Sequence, residues 1–134
     1  MLALWLRLYP IALVSFLVIH MLWLGVVARG FYKTHLGYLL SERPNWAVAI
    51  VFYLLFIGGL LTFVVVPALE ANSWRKLVFL GAAFGLVTYA TYDLTNHATV
   101  KGWPWIVTVV DLLWGIVLST SVSAVTFQAG RWLR

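Results

Sequence analysis

Apolar side chains fill four stretches of the chain almost without interruption, and polar residues collect between them. The stretches run from about 8 to 28, 46 to 66, 77 to 95 and 104 to 127. Each is long enough to cross a hydrocarbon core of about 30 Å. Inside lipid every backbone N–H and C=O must find a partner within its own segment, which selects helices over open strands. The pattern predicts an all-α protein, a four-transmembrane-helix bundle in which residues 1–134 form a single integral membrane domain. The first stretch follows a lone Arg7, is too long for a leader and lacks a small-x-small cleavage site, so it reads as a retained helix. Pro10 is placed near its start, where a missing N–H is harmless. Pro67 is expected to end the second span and Pro104 to open the fourth.

The connection from 29 to 44 has a pattern of its own. Tyr32, Leu36, Leu39 and Leu40 fall at i, i+4, i+7 and i+8, while Arg29, Lys33 and Ser41 fall away from that face. This suits a short helix lying in the membrane interface between spans 1 and 2. The alternative is a continuation of the first helix out of the bilayer. Asn45, just after Pro44, is suited to cap the next helix.

Composition agrees with the pattern. Hydrophobic residues are 63% of the chain and charged residues 10%, a balance from which no water-facing surface can be built. The lipid bilayer is therefore the expected partner. The net charge of +5 comes from basic residues near span ends, where they meet lipid headgroups. No basic stripe or soluble module is present, so nucleic acid is not expected. The absence of cysteine removes disulfides, thiolate metal sites and cysteine nucleophiles. No His-x-x-x-His or Glu-x-x-His spacing assigns a metal, no motif aligns a nucleophilic triad, and nothing names a cofactor. Association into a homo-oligomer or a larger membrane complex is left open.

The exceptions to the apolar pattern mark the candidate site. Thr88, Tyr89, Thr91, Tyr92, Asp93, Thr95 and Asn96 crowd the end of the third span, and Asp111 lies inside the fourth. An aspartate at a span centre costs roughly 2.5–3.5 kcal/mol on insertion scales, more than one packing hydrogen bond returns. His20, Asp93 and Asp111 all fall in the bilayer half nearer the 29–44 and 97–103 loops, and all three are expected to face the bundle interior. On the third helix Gly81, Gly85, Thr88, Tyr89, Tyr92 and Asn96 share an arc that Asp93 flanks. On the fourth, Thr108, Asp111, Gly115, Ser119 and Thr126 line one face. Gly81 and Gly85 have the spacing that lets helices approach closely.

Six of the eight tryptophans, Trp5, Trp46, Trp74, Trp103, Trp105 and Trp132, lie near span ends as an aromatic belt requires. Trp23 and Trp114 do not. Each follows an ionisable residue, His20 or Asp111, by three positions and precedes a glycine, which hints at an internal repeat. On a helix each tryptophan could cover its own ionisable neighbour. The candidate ligand-binding or proton-handling residues are thus His20, Trp23, Tyr89, Tyr92, Asp93, Asn96, Asp111 and Trp114. Asp111, within two turns of its helix N-terminus, is expected to be the anion, and Asp93, near its helix C-terminus, the group that holds a proton.

Gly85-x-x-x-Tyr89-x-x-Tyr92-Asp93-Leu94-Thr95-Asn96, then Gly102-Trp103-Pro104 and Asp111-Leu112-x-Trp114-Gly115, resemble an uncharacterised family of small bacterial membrane proteins with four predicted spans. Trp23-Leu24-Gly25, Gly30-Phe31-Tyr32 and Leu36-Gly37 resemble it too. The resemblance covers nearly the whole chain and implies a bacterial origin and an inner-membrane location. It implies no activity, because the family is a domain of unknown function. Where this chain has His20, an aspartate is expected of the family, so this member's site would be less acidic.

The reading that follows is a small polar pocket within the bundle that binds a proton, an ion or a small amphipathic ligand. Two alternatives stand beside it. One is a membrane-embedded enzyme acting on lipid, with Asp93 and Asp111 as acid and base and His20 as partner. The other is a structural subunit of a larger membrane complex. Four spans put both termini on one side. Arg7, Arg75, Lys76, Arg131 and Arg134 on that side outnumber Arg29, Lys33, Arg43 and Lys101 on the other, so cytoplasmic termini are expected. A reporter fused after Arg134 should be active only in the cytoplasm; activity only outside it reverses the orientation.

Overall fold

The structure is a computed structural model that describes all 134 residues. Four helices are long and apolar enough to cross a membrane: α1 (Leu2–Val27), α3 (Trp46–Glu70), α4 (Trp74–Thr99) and α5 (Trp105–Leu133). A short helix, α2 (Arg29–Leu36), lies between the first two, and there are no strands. Each long helix exceeds the apolar run that predicts it. Arg75, Lys76 and His97 continue α4 as helix at its two ends, where charged tips can reach headgroups. Asn45 Oδ1 accepts the Val48 N–H at 3.3 Å and caps α3. Ser73 Oγ accepts the Lys76 N–H at 3.2 Å and caps α4.

Two prolines sit differently from expectation. Because α1 begins at Leu2, Pro10 is inside the helix rather than at its start. Its ring removes the N–H that would reach the carbonyl four residues back. Pro67 does not end the second span, for the helix continues to Glu70. A π-helical turn, Leu61–Val65, immediately precedes it, and the Val66 N–H closes onto the Leu61 carbonyl. A widened turn gives the backbone room to pass a proline without breaking. A second π-helical turn, Trp23–Val27, finishes α1. The Ala28 N–H donates to the Trp23 carbonyl at 2.7 Å, and the chain breaks out of helix at Ala28.

The 29–44 connection contains a separate helix docked on the bundle. Leu36 packs against Trp103 and Val107, and Tyr38 O–H donates to the Gly102 carbonyl at 2.9 Å. Gly102 has φ +72°, a backbone region open to glycine at little cost. The four-residue apolar face foreseen for this connection is only half realised. Helix α2 stops at Leu36, and Leu39 and Leu40 follow it in a turn where each is about half exposed.

The close-packed core occupies the half of the bundle nearer the termini. Leu8, Ala12 and Phe16 of α1 meet Ile57, Leu60, Leu61, Val64, Val65, Ala68 and Leu69 of α3, Leu77 of α4, and Leu118, Val122 and Phe127 of α5. Val14, Val18, Val51, Leu55 and Phe63 point outward, as the lipid-facing side of a bundle should. Helices α4 and α5 approach most intimately at glycines. A Cβ on Gly85 would run into the Gly115 carbonyl, and one on Gly81 would lie 3.2 Å from the Thr120 Cα. Small residues at such crossings let backbones touch.

Gly85→Ala should therefore destabilise the bundle by about 1–3 kcal/mol, the usual cost of overpacking. Gly30→Ala, where an added Cβ meets nothing within 4 Å, should be neutral or stabilising by up to about 1 kcal/mol. Thermal unfolding of the two variants in one detergent checks the contrast; equal losses would remove the argument.

Candidate functional site

Polar chemistry gathers in the other half, where the long helices draw apart. The inward line of α4 is Leu77, Gly81, Gly85 and Asp93, repeating every four residues with a gap at half-buried Tyr89. Asp93 is 0% exposed and lies on this line rather than flanking it. Tyr92, expected on the inward arc, is 56% exposed, with its ring edge-on to Trp103 at 5.8 Å. The difference follows from the Gly85–Gly115 contact, which rotates α4 so that the helix row through Gly81 and Gly85 faces α5. On α5 the expected face is the buried one: Thr108, Asp111, Gly115, Ser119 and Thr126 are all buried. Asp111 is 5% exposed, and its carboxyl lies against that of Asp93.

The donor to this pair comes from a residue that the apolar pattern had assigned to the interface. Tyr32 O–H donates to Asp111 Oδ1 at 2.6 Å. The same phenol oxygen accepts from Trp23 Nε1–H at 3.0 Å. Burial, and then the bond to Asp111, push the Tyr32 phenol well above its ordinary range, so it remains a donor throughout the physiological range. Neither oxygen of Asp93 has a hydrogen-bond donor.

Trp23 and Trp114 do not each cover their own neighbour. They stack on one another, with centroids 4.4 Å apart and planes 8° from parallel. That face-to-face contact joins the π-helical end of α1 to α5 and aims the Trp23 N–H at Tyr32. His20 stacks on Phe16 at 5.1 Å and meets Tyr53 edge-on at 5.9 Å, with Nδ1 buried and unpartnered. A separate cluster fixes the turn before α5. Trp103 Nε1–H donates to Thr108 Oγ1 at 3.1 Å, and Thr108 Oγ1 lies 3.1 Å from His97 Nδ1.

A cavity of about 460 Å³ opens between α1, α3, α4 and α5 beneath α2. Its walls carry His20, Leu24, Tyr32, Leu36, Leu40, Phe52, Thr88, Tyr89, Tyr92, Asp111 and Trp114. Of the residues singled out in the sequence, the cavity brings together His20, Tyr89, Tyr92, Asp111 and Trp114. Asp93 stands behind the wall, in contact with Asp111. Trp23 reaches the site through Tyr32, and Asn96 is half-buried away from the lining. Tyr32 and Phe52 complete the site without having been singled out as candidates, and Thr88, expected on the polar arc of the third span, lines it too. For Tyr32 the signal was present: it carries the only polar group on the apolar face of its connection. No three His, Asp or Glu side chains converge to surround a metal ion.

On one side the cavity is bounded by a gap between α3 and α4. Their backbones meet along residues 61–70. Nearer the cavity side chains join them, Phe84 reaching Phe56 at 5.3 Å and packing beside Gly59. Beyond that pair Phe52 and Tyr92 are both more than half exposed, and both line the cavity.

Four helices long and apolar enough to cross a membrane, packed around a buried carboxyl pair, define a multi-pass integral membrane protein. Residues 5–128 match the family described as predicted membrane protein (DUF2177), and the chain belongs to it. No curated protein and no solved structure matches the chain.

Tyr32→Phe should lower thermal stability by about 1.5–3 kcal/mol, the range for hydrogen bonds to charged groups. The phenol is raised in the folded state, so its contribution is complete below the ordinary tyrosine value of about 10 and is lost as pH rises through the folded value. The gap between wild type and Tyr32→Phe should stay constant from about pH 7 to 9 and shrink above about pH 10. A gap that widens in alkali would contradict the assigned donor.

Proposed function

We propose that the cavity is a binding site for a small amphipathic molecule taken from the membrane. One observation carries this reading: a mostly apolar cavity, open between two helices, ends on a single cluster of polar groups at Asp111, Tyr32, Tyr89 and His20. Ligand pockets typically combine an apolar lining of about 300–1,000 Å³ with a few convergent polar groups. The polar end would hold the ligand's head by hydrogen bonds, and the gap beside Phe52 and Tyr92 would leave its chain in contact with lipid. A proton alone needs no such volume, and a metal ion needs more converging ligands. In this reading residues 1–134 are a single domain in the bacterial inner membrane, with cytoplasmic termini and the cavity in the outer half of the bilayer.

A membrane-embedded enzyme remains the second reading, favoured by the Asp93–Asp111 contact. Acid–base catalysis needs both groups within reach of a substrate. Asp111 lines the cavity and Asp93 does not, which supports binding over chemistry.

The test is equilibrium binding of tritiated single-chain dodecyl amphiphiles to the chain in phosphatidylcholine nanodiscs. Uptake above partition into protein-free nanodiscs should saturate near about one molecule per chain for at least one head group. Thr88→Phe, which fills the cavity from its wall, should abolish the saturable part while leaving the fold intact by near-ultraviolet dichroism. Partition alone for every head group would end the proposal.

A further inference from the structure

We infer that the occupant of this cavity is a lipophilic organic cation, an ammonium-type head on an apolar chain. The inference rests on the binding function proposed above and adds the chemistry of the ligand. The lining is unusually aromatic: Tyr32, Phe52, Tyr89, Tyr92 and Trp114 all face the same space as the Asp111 carboxyl. Aromatic faces carry negative potential and attract a cation held over them, most strongly where water is excluded. A carboxylate beside such faces supplies the compensating charge that a buried cation requires.

The charges that could oppose this are placed elsewhere. No Lys or Arg lines the cavity. Arg29 and Lys33 are on α2 but exposed, turned away from Tyr32 and Leu36. The facing wall offers His20, whose ring is packed between Phe16 and Tyr53. The ionisable groups in contact with Asp111 are the Tyr32 phenol, which donates to it, and Asp93, another acid. Two acids and no Lys or Arg at this end of the cavity can supply the single negative charge that a monocation calls for. An anionic head would meet this pair with no basic partner and be repelled. A neutral alcohol could bond to Asp111 but would leave the aromatic enclosure without a role.

Access suits the same ligand. Phe52 and Tyr92 flank the α3–α4 gap and are exposed toward the membrane, so an amphiphile can enter sideways with its chain still in lipid. An aromatic pair at that gap places the first cation-attracting faces at the entrance rather than only at the end.

The experiment compares dodecyltrimethylammonium, dodecanol and dodecanoate in the nanodisc assay, below their aggregation concentrations. The cation should bind at least about tenfold more tightly than dodecanol, with dodecanoate weakest. Asp111→Asn should weaken the cation at least about tenfold more than it weakens dodecanol, which removes the preference. Phe52→Leu, at an exposed position tolerable to the fold, should weaken the cation about threefold or more and dodecanol little. Dodecanol binding as tightly as the cation overturns this inference and leaves the amphiphile site standing, as does an equal loss of both ligands in Phe52→Leu. Saturable binding of none of the three removes the binding function itself, and this inference with it.

Discussion

The closest backbone approach in the protein, Gly85 of α4 against Gly115 of α5, governs the rest. Two helices touching without side chains between them have little freedom of rotation or slide. The helices are antiparallel. Two turns along α4 from the contact and one turn along α5 therefore lie on the same side of it, and those positions are Asp93 and Asp111. A larger residue at either glycine would separate the helices and with them the carboxyls. The acidic pair is thus a product of main-chain contact, and its geometry is set before any polar interaction contributes.

From that pair the arrangement builds outward through single, directional contacts. Tyr32 reaches down from α2 to Asp111, Trp23 donates to Tyr32, and the Trp23–Trp114 stack returns the chain of contacts to α5. The circuit closes across three helices and explains why the 29–44 connection docks rather than floating in the interface. The apolar core does not take part. It lies at the opposite end, where Leu8, Phe16, Leu60 and Phe127 are fully or almost fully buried against one another. Segregation of a tight apolar end from a looser polar end lets stability and binding be served by different residues.

Much of this is legible in the chain. Four helices follow from the lengths of the apolar runs, and the buried face of α5 follows from its four-residue spacing of polar and small side chains. His20, Asp93 and Asp111 all turn inward or toward the cavity, as the cost of a polar group in lipid demands. The rotation of α4 was not legible to within one position, because Tyr92 and Asp93 are adjacent and only the partner helix decides which of them is buried. Tyr32 was placed on the correct face of the connection, but its partner is 79 residues away, a distance that no local period encodes. The two prolines were misplaced for a related reason. Apolar runs mark the hydrocarbon boundary, and helices do not stop where lipid does.

The π-helical turn at Leu61–Val65 has a mechanical meaning. It falls where the backbone of α3 meets α4, and beyond it the segment Trp46–Leu60 packs chiefly on α1 rather than on that neighbour. Fifteen residues at about 1.5 Å each make an arm of about 22 Å. A tilt of about 5° at the fulcrum carries its free end through about 2 Å, comparable to the difference between a closed seam and one that admits a methylene chain. The π bonds at the pivot, already longer in reach than those of an α-helix, are the part of the arm best suited to flex.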